Sequence, residues 1–167
     1  MSLSPIAIIA VSFLLMACSS SRDTGGSSGP DRPSDNRVET LYKDDGHYSD
    51  QIEAQLAIVV NTQDDLDALW AKLFSGQSPM PPVPQVDFTG ASVVVASSGM
   101  KGSGGHGVTI ETLEEIPEGM RLRIVAMSPG STCMTTQALT TPLHIVRTRK
   151  LPAVVLFDWS ETIVECE

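Results

Sequence analysis

The chain has 167 residues, which is enough for one domain and an accessory segment. Its 11 Lys and Arg residues against 20 Asp and Glu residues give a net charge of −9. This charge argues against nucleic acid as a partner, because phosphate binding needs a basic face. Aromatic residues make up 5% of the chain, which argues against a stacking platform for bases or sugars.

An apolar run near the N-terminus indicates export. Residues 6–17 are apolar apart from one serine, which is too short for a membrane-spanning helix of about 20 residues but suits the core of an export signal. The run ends at Ala17-Cys18, a small residue followed by cysteine, and this end resembles the bacterial lipoprotein box. The resemblance implies that residues 1–17 are a lipoprotein signal peptide and that Cys18 carries palmitate or similar acyl chains.

Acyl chains would hold the protein on a membrane without a spanning helix. Ser19 follows the cysteine. A serine at this position resembles the sorting signal of diderm bacteria that implies transport of a lipoprotein to the outer membrane. The chain is therefore expected to be anchored in the bacterial cell envelope and to face the periplasm. The alternative is an ordinary signal peptide with an incidental cysteine.

Residues 18–50 are predicted to be a flexible tether. Ser19–Arg37 is dominated by Ser, Gly and Pro and contains no aliphatic residue, so it cannot bury enough apolar surface to offset its ordering entropy. Val38–Asp50 is transitional, with two tyrosines that could dock and an Asp44-Asp45-Gly46 turn. The folded domain is predicted over residues 51–167.

The clearest helix in the chain follows a first strand that ends near Val60. Thr62 is a candidate N-cap, and acidic residues in the next turn suit the positive end of a helix dipole. Apolar residues then recur at helical spacing and form one stripe that favours core packing over a ligand role: Leu66, Leu69, Trp70, Leu73 and Phe74. Gly76 is well placed to end the helix. Prolines within 79–84 then indicate an extended connector.

The remaining segments have the pattern of strands. Ala91–Ala96 is apolar and β-branched, which predicts a buried central strand. Two alternating runs flank Pro117-Glu118-Gly119 and predict a hairpin. Leu143–Val146, Val154–Phe157 and Thr162–Cys166 are further candidate strands. The short connections predict an α+β fold class, with a mainly antiparallel curved sheet or partial barrel and one packed helix.

Several short motifs follow one another along the middle of the chain. The helix ends near Leu69-Trp70, Val86-Asp87-Phe88 precedes the apolar strand, a glycine-rich loop covers Gly99–His106, and proline-containing turns lie at Ser128-Pro129-Gly130 and Thr140-Thr141-Pro142-Leu143. In this order, over roughly residues 52–158, the motifs resemble the C-terminal domain of PrcB-type proteins, the lipoprotein subunits of bacterial protease complexes. The resemblance implies an exported, non-catalytic protein-binding module that stabilises or assists a protease complex.

The glycine-rich loop is the candidate partner-binding site, and the residues proposed for it are Lys101, Ser103, Gly104, Gly105 and His106. Ser103 stands where the PrcB family usually has Thr, and His106 where it usually has Tyr. The loop also fits the dinucleotide pattern G-x-G-x-x-G, but a strand pattern follows where that site needs a helix.

Two interpretations of the glycines stay open. They supply positive φ in a turn or bulge, or they let the backbone approach a partner closely. One form of the second interpretation is that the protein is a protease inhibitor that acts through residues 99–107. A glycine-rich loop of this kind resembles a loop of the chagasin-type inhibitors of cysteine proteases.

The remaining cysteines and the histidines favour a structural role. Cys133 and Cys166 form an even pair in an oxidising compartment, which predicts a disulfide. The three histidines are scattered without the spacing of a zinc site, so no metal and no cofactor are predicted. Of these, His144 is expected to face solvent or the opposite sheet face. No G-x-S-x-G elbow is present, so the chain is predicted not to be an enzyme, with an enzyme of unrecognised type as the alternative.

Overall fold

The computed structural model describes residues 36–166. Within this range the chain forms one helix and seven strands in the order β1 (Glu39–Asp44), β2 (Leu56–Val60), α1 (Gln63–Leu73), β3 (Ala91–Ser97), β4 (Gly107–Ile116), β5 (Gly119–Pro129), β6 (Leu143–Arg149) and β7 (Val155–Val164). No helix of this part of the chain has the length and apolar character needed to cross a bilayer. The predicted signal peptide and Cys18 lie outside the described residues.

The strands form two sheets. The first has the order β1-β6-β3-β2 with antiparallel neighbours, and the second has the order β4-β5-β7. In the second sheet β4 and β5 are antiparallel, whereas β5 and β7 are parallel. The described residues form no closed barrel. The predicted α+β class, with mainly antiparallel strands and one packed helix, is confirmed.

Strand β3 lies between two hydrophobic cores. Val93 and Val95 belong to the core that also contains the buried face of the helix, whereas Val94 and Ala96 belong to the core between the two sheets. The sequence of a strand that is buried on both faces is a continuous apolar run, because neither face contacts water. The prediction of a buried central strand here is confirmed, and the fold has three layers of helix, sheet and sheet.

The helix forms as its capping and periodicity predict. The Thr62 hydroxyl accepts a hydrogen bond from the backbone N–H of Asp65 at 3.2 Å, which satisfies one of the free donors of the first turn. Leu66, Trp70 and Leu73 are buried on the face toward the first sheet. The indole N–H of Trp70 donates to the carbonyl of Pro81 at 2.9 Å and so holds the proline-rich connector against the helix.

The hairpin around Pro117 is confirmed. The last two predicted strands, Val154–Phe157 and Thr162–Cys166, instead form one continuous strand. Ile116 pairs with Gly119 at the tip of the β4–β5 hairpin. Strand β7 runs without interruption beside β5, from the Met120–Val155 pair to the Pro129–Val164 pair. The polar residues in the middle of β7 suggested a break, but the continuous backbone pairing with β5 keeps them within the strand.

The folded domain begins earlier than residue 51. The predicted tether over 18–50 includes Glu39–Asp44, which pairs with β6 as strand β1. Tyr42 of this strand packs edge-on against Phe74, with ring centroids 4.9 Å apart, and His47 in the following turn is buried. The end of this predicted tether is therefore part of the first sheet and its core.

Candidate functional site

The glycine-rich loop lies between β3 and β4 and is tied to a second loop. We call residues 99–107 the glycine loop and residues 130–140 the floor loop. The backbones of Lys101 and Thr140 form a β-bridge, with N–O distances of 2.7 and 3.1 Å. The backbone N–H of Gly104 donates to the carbonyl of Thr136 at 3.0 Å, and the Thr140 hydroxyl donates to the carbonyl of Ser103 at 3.0 Å. The two loops therefore form one structural unit.

Some glycines of this loop are required by its packing. Gly99 has a φ of +80°, and a Cβ atom at this position would lie 2.8 Å from the backbone of Ala54 and Gln55. Gly104 is buried, and a Cβ atom there would collide with the side-chain oxygen of Thr136. Gly99 fits the interpretation that glycine supplies positive φ, and Gly104 is required by packing within the chain, while close approach to a partner stays a prediction.

The two loops and the β1 turn enclose a groove of about 440 Å³. We call it the loop groove. Gly104, Gly105 and His106 line one side, and the floor loop contributes an exposed apolar side chain, Leu139. The remaining lining residues come from the β1 turn, strand β5 and the floor loop: Asp45, Gly46, Met127, Thr136, Ala138 and Thr140.

Two side chains that line the loop groove have buried polar atoms without a hydrogen-bond partner in the described part of the chain. These atoms are Oδ1 of Asp45 and Nδ1 of His106. Burial lowers the pKa of His106 below its usual value, and the charge of Lys101 lowers it further, so the imidazole is neutral at neutral pH. Buried polar groups without a partner are rare in folded proteins, and each one needs an explanation.

The five loop residues proposed from sequence do not all face the loop groove. Gly104, Gly105 and His106 line it, but Lys101 and Ser103 do not. The backbone of Lys101 forms the bridge to the floor loop, and Ser103 contributes its carbonyl to the bond from Thr140. Both residues are partly buried and hold the glycine loop in place.

The predicted disulfide joins Cys133 to Cys166. It ties the floor loop to the residues that follow β7. The Thr132 hydroxyl strengthens this junction, because it accepts a bond from the backbone N–H of Cys166 at 3.0 Å and donates to Glu165 at 3.0 Å. The disulfide therefore supports the loop groove from outside.

The other two histidines are buried in the fold. His144 is 3% exposed and bonds Ile110 of the second sheet, so of the two expected positions it takes the sheet face opposite Leu143 and Ile145 and does not face solvent. His47 packs against the ring of Phe74 at a centroid distance of 5.1 Å. Desolvation is the main reason why the pKa of His47 lies below its usual value. Both residues belong to the cores and not to the loop groove.

Sequence reasoning missed the part of the site that is distant along the chain. Asp45 and Gly46 were assigned to the tether, although their Asp-Gly turn was recognised, and Leu139 carried no signal of its own. The bridge between Lys101 and Thr140, with the bond from Gly104 to Thr136, brings the floor loop to the glycine loop. The proposed lipidation site, Cys18, lies outside the described residues.

Comparison with known proteins supports the motif-based assignment. The family model described as PrcB C-terminal matches residues 92–149, about a third of the chain, which include the glycine loop, the hairpin and the floor loop. Neither the search of curated proteins nor the search of solved structures found a match. The resemblance inferred from the order of the motifs is thus confirmed over residues 92–149, which match the PrcB C-terminal model.

Proposed function

We propose that this protein is an exported lipoprotein, anchored to the membrane through Cys18, that acts as a non-catalytic protein-binding module and assists a protease complex. The observation that carries the proposal is the position of the loop groove, most of whose lining lies inside the segment that matches the PrcB C-terminal family. The family supports involvement with a protease complex, and the groove is where we place the contact with the partner.

The chemistry of the loop groove suits a protein partner. Leu139 is 52% exposed and Met134 on the same floor loop is fully exposed. Apolar side chains held in a structured loop are typical anchors of protein interfaces. The carboxylate of Asp45 and the neutral imidazole of His106 add polar groups to this surface. We expect the partner to contribute an apolar side chain beside hydrogen-bond donors.

We favour binding over protease inhibition because of the packing of the glycine loop. Gly104 is buried and bonded to the floor loop, and Thr140 holds the carbonyl of Ser103. A loop fixed along its length in this way forms one wall of a groove, whereas an inhibitor of the kind considered above would need to insert the loop into a partner's cleft.

The experiment that tests the proposed contact compares two matched surface variants. Leu139→Lys changes an exposed apolar residue of the loop groove, and Met80→Lys changes one with similar exposure in the proline-rich connector. Each full-length variant is expressed in the host, crosslinked, and purified from solubilised membranes. We expect a protease subunit to co-purify with the wild type and with Met80→Lys, and its yield to fall about tenfold with Leu139→Lys. The absence of any protease subunit, or equal yields from the two variants, would contradict the proposal.

A separate experiment tests the anchor. Labelling with radioactive palmitate should mark the wild-type protein and not Cys18→Ala, which should move from the membrane fraction to the soluble envelope fraction. Unchanged fractionation of the variant would contradict the lipid anchor. The contact at the loop groove would not be affected by this result, because the crosslinking experiment tests it separately.

A further inference from the structure

We propose that the free edge of β7 binds an extended, basic segment of another protein by strand addition. This surface shares no residue with the loop groove, so the inference does not depend on the proposed function. Strand addition is a common mode of peptide recognition, in which main-chain hydrogen bonds supply much of the affinity.

The edge of β7 is open along its whole length in the described part of the chain. β7 is the last strand of its sheet and pairs with β5 alone. The carbonyls of Val154 and Val164 accept bonds from the β5 side at 3.1 and 2.8 Å. In a parallel ladder every second residue bonds the same neighbour, so the backbone groups of Phe157, Trp159 and Glu161 point to the free edge.

This edge is long and carries exposed apolar side chains. β7 has ten residues, whereas a typical strand has about five or six. Leu156 and Ile163 are 46% and 69% exposed. Natural proteins usually shorten, cover or bulge such an edge, because it is a template for pairing. Among the described residues no strand pairs with this edge and no bulge interrupts β7, although the strand carries two acidic residues.

The acidic residues identify the class of partner. β7 contains Asp158 and Glu161 and no basic residue, and neither carboxylate forms an ion pair among the described residues. In register with β5, Asp158 lies beside Arg123, whereas Glu161 lies beside Ala126. A cross-strand pair of opposite charge is stabilising, so the incoming strand should present Lys or Arg opposite Glu161.

Two other occupants fit the edge less well. Antiparallel pairing of two copies about Trp159 would place Glu161 opposite Phe157, so a second copy would offer this carboxylate no residue of opposite charge. Residues 19–35 of the same chain contain Pro30, Pro33 and several glycines, which suit a ladder poorly. A basic strand from another protein satisfies both the backbone and the charge of this edge.

The experiment uses three synthetic peptides with the full-length protein in detergent. The first peptide has ten residues of alternating Val and Lys. The second is the same peptide with N-methyl groups on alternate amides, which keeps the charge and blocks pairing on one edge. The third replaces Lys by Glu. The readout is hydrogen exchange at the backbone amides of Phe157, Trp159 and Glu161, which are unpaired in the free protein.

We expect the Val–Lys peptide to slow exchange at these three amides at least about tenfold, and the N-methylated and Val–Glu peptides to leave it unchanged. Glu161→Pro removes an edge donor and should abolish the protection, while Glu161→Gln keeps the donor and should only weaken binding. No protection by the Val–Lys peptide would overturn the proposal, as would equal protection by its N-methylated form, which would show charge attraction alone. Concentration-dependent protection without peptide would identify a second copy as the occupant and would also overturn it.

Discussion

His144 of β6 and Ile110 of β4 join the two sheets through a hydrogen bond. The backbone N–H of Ile110 donates to Nδ1 of His144 at 2.9 Å. Because Nδ1 accepts, the ring proton lies on Nε2, which is 2.9 Å from the hydroxyl of Thr40 on β1. Ile110 lies next to the irregularity of the β4–β5 ladder, so this side chain supports three strands at a point where regular pairing is interrupted.

The pH dependence of stability should report this bond. Burial, and to a smaller degree the charge of Lys43, lowers the pKa of His144 to about 4 from its usual 6.5. The folded state therefore binds this proton less readily than the unfolded state, and stability is lost as pH falls from 6.5 through 4. Linkage gives a loss of about 2 kcal/mol between about pH 7 and pH 5 from this residue.

The matched variant for this prediction is His144→Gln, which keeps a hydrogen-bond acceptor but does not titrate. We expect denaturant unfolding to show a smaller loss of stability for the variant than for the wild type over this pH range. Equal losses in the two proteins would show that His144 does not control the acid response.

Substitutions of two glycines in the same loop should differ in effect. Gly99→Ala introduces a Cβ atom 2.8 Å from the backbone of Ala54 at a φ of +80°, and we expect it to lower the unfolding free energy by about 2 kcal/mol or more. Gly102→Ala has open space around its Cβ and should change stability by less than about 0.5 kcal/mol. Thermal melting of both variants checks the difference, and similar melting temperatures would contradict the close packing of Gly99.

Loss of the disulfide should weaken the fold and loosen the loop groove. Cys133 and Cys166 are 33 residues apart, and the chain-entropy model gives a stabilisation of about 3–4 kcal/mol for a loop of this size. The double variant Cys133→Ala, Cys166→Ala should lose this amount in denaturant unfolding. Exchange at the amide of Gly104, which is bonded to Thr136 in the floor loop, should also become faster in the variant. Unchanged exchange would mean that the disulfide does not support the groove.

Truncation at two positions should show where the folded domain begins. A chain that begins at Asn36 keeps β1 and should unfold cooperatively on heating. A chain that begins at Gln51 loses β1, exposes the edge of β6 and removes Tyr42 and His47 from the helix-side core. We expect the shorter chain to lack a cooperative transition in circular dichroism. Similar melting curves for the two chains would show that β1 is dispensable.

Local patterns predicted the elements that depend on local interactions. The helix was recognisable because its cap at Thr62 and its stripe around Trp70 lie within one short segment, and the hairpin because its turn at Pro117 joins its two strands. Strand β1 was missed because its charged sequence has no clear alternation, and its stability comes from pairing of Glu39 with Arg147 far along the chain.

The candidate site was predicted only in part, because it too depends on contacts between distant segments. The glycine loop has a composition that stands out in the sequence, but the other side of the groove does not. Asp45 and Leu139 reach the groove through long-range contacts, which are the pairing of β1 with β6 and the bonds between the two loops. Contacts between such distant segments leave no periodic signal in a single sequence.

The pairing of β1 with β6 joins segments that are far apart in the sequence. Glu39 cannot meet Arg147 until more than a hundred intervening residues are present, so the first sheet is completed only when most of the chain is available. Contacts of such long sequence separation slow the search for the native state. During that interval β6 is an open edge, and aggregation of the nascent chain is expected to compete with its maturation.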